Sequence, residues 1–73
     1  MKIVSICGDK NISVGLRLVG VEGFVVQKSS DFDRVFKEVI NDRKVGIVVV
    51  GKEYASRAGE IRSAEAVPMI VVI

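Results

Sequence analysis

The chain has no histidine and no tryptophan, and it has one cysteine and one proline among its 73 residues. Without histidine, Ser-His-Asp and Cys-His nucleophilic sets are excluded, and the commonest metal ligand is missing. A lone Cys7 makes no internal disulfide, which removes the stapled secreted class and fits a reducing cytoplasm. No apolar run approaches the ~20 residues that span a bilayer. Met1-Lys2-Ile3-Val4 leads straight into a strand-like segment, so no signal peptide is expected. Charge of one sign is also lacking. Eleven basic and nine acidic residues leave a net charge of +2, and they alternate along the chain without a basic block. Nothing therefore supports a nucleic-acid or membrane-surface role, and a soluble cytoplasmic domain is expected.

What remains is aliphatic. Hydrophobic residues make up 49% of the chain, yet the aromatic ones are only Phe24, Phe32, Phe36 and Tyr54. A Val/Ile core of this kind is typical of a parallel sheet. The length allows one domain over residues 1–73. A domain of this size buries about 60–65% of its unfolded surface, a marginal core for which partners are common.

Lys2 to Cys7 is a short apolar run ending at Gly8-Asp9, a strand and a turn. From Asn11 to Val19 the apolar Ile12, Leu16 and Val19 fall four and three apart. They predict a short helix with Asn11 as N-cap and Gly20 as C-cap. Gly15 lies on that stripe, where a glycine is best tolerated if the helix lies very close to the sheet.

Gly23 introduces a second strand over Phe24 to Gln27, and Ser30 opens a helix in capping-box style with Asp33 three residues on. Phe32, Val35, Phe36, Val39 and Ile40 form its core stripe, with Arg34, Lys37, Glu38 and Arg43 on the other side. Val45 to Gly51 is apolar on both faces, the natural central strand. A third helix from about Lys52 to Ala64 turns Tyr54, Ala55, Ala58 and Ile61 inward. Val67-Pro68-Met69-Ile70-Val71-Val72-Ile73 is the last strand, with Pro68 where a missing N–H is tolerated.

The sum is βαβαβαβ: a three-layer α/β/α architecture with a four-stranded parallel sheet of order 2-1-3-4. Each earlier strand is followed by a helix, whereas the last has no successor, so that edge and its face are expected to need a neighbour.

Candidate chemistry is thin. The carboxyl-end rim of the sheet carries Lys10, Lys28 and Lys52, each after a strand, which could make a weak site for an anionic ligand. Polar loops that need solvating charge account for them more simply. The glycines Gly8 and Gly15 are seven apart and match neither a dinucleotide fingerprint nor a P-loop. Asp9 alone, with Gly51 at the end of the third strand, does not make the acidic pair and acceptor of a phospho-receiver. Cys7 reads as a small buried hydrophobe. No catalytic set, cofactor site or metal-ligand spacing stands out, so an enzyme is not expected.

The opening Met1 to Asp9, followed by Gly15-Leu16-Arg17-Leu18-Val19-Gly20-Val21, resembles the F subunit of the V-type (A/V-type) ATP synthase. That family opens with a strand, Gly-Asp, a loop and Gly-Phe-x-Leu-Ala-Gly. Val45-Gly46-Ile47-Val48-Val49 and Pro68-Met69-Ile70-Val71 match its later segments in order, and between them Glu53-Tyr54-Ala55 stands for its Glu-x-x-Ala with the alanine one place early. The resemblance makes Gly8, Asp9, Gly15, Leu18 and Gly20 structural motif positions. It implies a non-catalytic central-stalk component bound to the D subunit inside the ring of A and B subunits. There it would transmit torque and support ATP-driven ion transport. Two departures stand out: Leu16 replaces the usual Phe, and family members usually continue into a further helix after the last strand, whereas this sequence stops at Ile73. Met69, Ile70, Val71, Val72 and Ile73 are the expected contact with a partner, or with a second copy when the domain is isolated.

Overall fold

The computed structural model describes residues 1–61 and 68–73. The chain forms β1 (Lys2–Cys7), α1 (Lys10–Arg17), β2 (Glu22–Val25), α2 (Ser29–Ile40), β3 (Val45–Val50), α3 (Ala55–Ile61) and β4 (Met69–Val72). A 3₁₀ turn over Lys52–Tyr54 leads into α3. The strands make one parallel sheet in the order β2-β1-β3-β4, as the hydrophobic pattern implies. β1 and β3, the longest apolar strands, take the two inner places, and β2 and β4 form the edges.

Handedness then places the helices. α1 carries the chain one way along the sheet, whereas α2 and α3 carry it the other way. Right-handed crossovers therefore put α1 on one face and the other two on the opposite face. Accordingly α1 packs on β1 and β2, and α2 packs on β1, β3 and α3. Strand alternation points Val4, Ile6, Val48, Val50 and Ile70 toward α2 and α3. There they meet Phe32, Val35, Phe36, Val39 and Ala58 in one buried cluster. Each fully buried aliphatic or aromatic side chain is worth about 1.5–3 kcal/mol, so this face carries most of the stability. Tyr54 stacks on Phe32 at 4.6 Å and Phe32 on Phe36 at 5.2 Å, which ties the 3₁₀ turn to α2.

The other face departs from expectation. α1 turns Ser13 to the sheet and leaves Ile12 and Val19 exposed, so its apolar stripe is not the core-facing one. The reason is spacing. A Cβ added at Gly23 would lie 2.3 Å from Ser13 Oγ and 3.3 Å from Ser5 Oγ. The close approach expected at Gly15 thus occurs at Gly23, and a larger residue in place of Ser13 would not fit. A Cβ at Gly15 meets open space.

The caps also move. Asp9, not Asn11, caps α1: its backbone is extended and its Oδ1 accepts the Asn11 N–H at 2.8 Å. The helix closes as a Schellman motif. Gly20, at φ +90°, donates to the Arg17 carbonyl, and Val21 donates to that of Leu16. Gly20 therefore serves the closing role expected of it. Ser30 lies inside α2, whose N-cap is Lys28 without a side-chain bond. The earlier start puts Asp31 in the first turn, at the positive end of the helix dipole. β2 begins at Glu22 rather than Phe24, because its pairing with β1 starts where Val4 meets Glu22. The expected end of the third helix beyond Ile61, and Val67 of the last strand, lie outside the described residues.

Candidate partner-binding surface

Because α1 covers only β1 and β2, the β3 and β4 half of its face is bare among the described residues. Ile47 and Val49 from β3 are half-buried there. Met69, Val71 and Ile73 lie beside them, at 60%, 40% and 45% exposed. Ile12 of α1 looks onto the same strip. Two strands span about 10 Å, the width of one α-helix. The strip is thus a helix-wide apolar trough with the sheet as floor and α1 as one wall. Met69 to Ile73, expected to be a contact segment, form its outer edge. On the opposite face Val72 is half exposed and Ile70 packs against the core.

The carboxyl-end rim is arranged differently from a ligand site. Glu53 folds back so that Oε1 accepts the Gly8 N–H at 2.9 Å, with the carboxylate lying against Gly51. The Asp9 carboxylate holds the first turn of α1. The Gly8 N–H and the first turn of α1 are thus each occupied by a carboxylate of the chain itself, whereas the N-terminus of α2, at the same rim, has no side-chain cap. Lys10 is in α1, Lys28 caps α2 and Lys52 lies in the 3₁₀ turn. The three follow different strands without a ligand-shaped focus. Cys7 is buried, and its thiol donates to the Asp9 carbonyl. Among the described residues no group of three or more His, Cys, Asp or Glu side chains is placed to hold a metal ion.

One exposed ion pair links the helices beneath the core. The Arg57 guanidinium hydrogen-bonds both Asp33 oxygens and also reaches Glu60. The Arg57 hydrogen bond, with its positive charge, holds the Asp33 carboxyl below its usual range, and Asp33 holds the guanidinium proton more tightly. Tyr54 donates its hydroxyl to the Val26 carbonyl at 3.2 Å. These are scaffold interactions, far from the bare strip.

The five expected motif positions have different surroundings. Gly8 and Asp9 make the β1–α1 turn, with Gly8 donating to Glu53 and Asp9 capping α1. Gly20 makes the Schellman closure. Leu18, the C-cap of α1, is 84% exposed, so it supplies nothing to the core of the described residues. Gly15 is open.

A family model for the ATP synthase (F/14-kDa) subunit matches residues 4–73. The chain belongs to this family. No curated protein matches it. Membership makes the chain a component of a rotary ATPase, in a family of accessory rather than catalytic subunits. Among the described residues no helix is long and apolar enough to cross a membrane. The bare strip had a trace in the sequence, since four strands share only three helices. The turned-away stripe of α1 had none, because Ile12, Leu16 and Val19 show the same spacing whether they face a core or a partner.

Proposed function

We propose that the chain is a non-catalytic rotor component in the central stalk of a V-type or A-type ATP synthase. It binds the D subunit within the ring of A and B subunits. There it supports torque transmission, and with it ATP-driven proton or sodium transport. Beyond family membership, the observation that carries this reading is the helix-wide strip of Ile47, Val49, Met69 and Val71 beside α1. A long helical hairpin lays a regular apolar stripe on such a floor. Four strands and a buried aromatic stack supply the stiffness that a torque-bearing part needs.

The test is co-expression with a helical hairpin of the D-subunit type, followed by affinity capture on a tag carried by the hairpin. A stable one-to-one complex is expected. Failure of the two chains to co-purify sinks the reading.

A further inference from the structure

The opposite edge of the sheet carries a second feature. β2 pairs only with β1, so its outer side is open among the described residues. Val26 donates its N–H inward to the Cys7 carbonyl. By alternation Phe24 also points its backbone inward, and Gly23 and Val25 present theirs to the open edge. The flanks of this edge are of opposite charge. On the α1 side, a groove of about 300 Å³ is lined by Lys10, Ser13, Val14, Arg17, Gly23 and Val25. Neither of its two cations makes an ion pair among the described residues. On the α2 side, a second groove of about 140 Å³ holds Glu22, Glu38 and Asp42 around a single Lys2, with Phe24 at its floor. Lys2 lies 3.7 Å from Glu22 and 3.9 Å from Asp42, which leaves that side with excess negative charge. Val25 and Phe24 are 41% and 37% exposed, one on each flank.

We propose that β2 is a strand-addition edge for an extended segment of a partner protein whose side chains alternate acidic and basic. A strand laid beside β2 bonds to the free backbone of Gly23 and Val25 and sends alternate side chains to the two flanks. Those facing α1 meet Lys10 and Arg17, so they are acidic. Those facing α2 meet Glu22, Glu38 and Asp42, so they are basic. Apolar residues at the middle of the segment cover Val25 and Phe24. A second copy of this chain is the wrong occupant. Antiparallel β2–β2 pairing about an axis normal to the sheet keeps like flanks on the same side, so cations face cations and carboxylates face carboxylates. The proposal does not rest on the rotor role, because the edge lies on the far side of the sheet from the bare strip.

The test is an amide-shift titration of the isotope-labelled chain with two synthetic peptides of one composition. In Glu-Lys-Val-Val-Glu-Lys the charges separate onto the two faces of a strand, and in Glu-Glu-Val-Val-Lys-Lys they do not. The first peptide is expected to shift and protect the Gly23 and Val25 amides at millimolar concentration, and the second to do so about tenfold less well. The double variant K10E/R17E changes two exposed side chains, so its circular dichroism matches wild type, and it weakens the first peptide's effect by about tenfold. Equal response to both peptides overturns the proposal. So does a response confined to Met69–Val72, or silence of Gly23 and Val25 with either peptide.

Discussion

The Arg57 guanidinium grips Asp33 through both carboxylate oxygens, Nε to Oδ1 at 2.8 Å and Nη2 to Oδ2 at 2.6 Å, and so joins α3 to α2. The Asp33 carboxyl consequently titrates below its ordinary 3.8 in the folded chain. A group with a depressed folded pKa contributes stability that is full above the unfolded value and is lost as pH falls through the folded one. Urea midpoints measured from about pH 5 to pH 2 should therefore fall more steeply in wild type than in R57A. R57A should lie below wild type at pH 5 and approach it at the acid end. Parallel curves would mean that the pair contributes nothing, as many exposed pairs do.

Two glycines of similar appearance in the sequence should respond oppositely to a methyl group. A Cβ at Gly23 meets buried Ser13 Oγ at 2.3 Å, so G23A must push α1 from the sheet, at about 1–3 kcal/mol. G15A fills open space inside a helix and should stabilise by up to about 1 kcal/mol. Combining G23A with S13A should recover part of the loss, because the clashing hydroxyl is gone. Denaturant midpoints decide all three, and an unchanged midpoint for G23A would contradict the close approach.

That pair also marks where sequence pattern stops being informative. The long regular signals are legible. The stripe from Phe32 to Ile40 and the doubly apolar run Val45–Val50 each have one reading, and together they dictate a parallel sheet with β3 inside. The orientation of α1 is not legible, because Ile12, Leu16 and Val19 satisfy helical spacing while the residue that touches the sheet is a serine. Closeness of packing selects small residues, and hydrophobicity does not register them. The caps escape for a related reason. Asp9 and Asn11 rank alike as caps, and the preference for Ser30 over Lys28 is worth about 1 kcal/mol, too little by itself to fix where a helix starts. The partner strip is half legible: too few helices for the strands announce it, but the wall made by α1 appears only once α1 is seen to face sideways.

Tyr54 joins two parts of the core at once, stacking on Phe32 and donating to the Val26 carbonyl beyond the end of β2. Y54F keeps the stack and removes the hydroxyl, so it should cost about 1 kcal/mol. Y54A also removes the ring and should cost about 3–5 kcal/mol, close to the full stability of so small a domain. Thermal unfolding followed by circular dichroism separates the two. Equal melting temperatures for Y54F and wild type would show that the hydrogen bond carries no net stability.

Glu53 occupies the Gly8 N–H from within, so wild type should show no rise in melting temperature with millimolar phosphate or ATP. E53A exposes that donor, next to the exposed Lys52. A small phosphate-dependent rise confined to the variant would show that the carboxylate is what closes the rim. A clear rise in wild type would revive a ligand-binding role for this end of the sheet.

The bare strip yields the sharpest test, because burial differs so much between the free and the docked chain. Val71 is already 40% exposed, so V71D places its charge in water in the free chain and should change stability by no more than about 1 kcal/mol. Beneath a docked helix the same carboxylate would be buried without a partner, at a cost of several kcal/mol, enough to abolish a complex of ordinary affinity. V71D should therefore keep its melting temperature and lose co-purification with a hairpin of the D-subunit type. V14D is the matched control: Val14 is 45% exposed on the far side of α1, and this variant should bind as wild type does. The same comparison in light scattering reports on pairing between copies through β4, which V71D should suppress and V14D should not. Undiminished capture of V71D would mean that the partner sits elsewhere, whatever the strip is for.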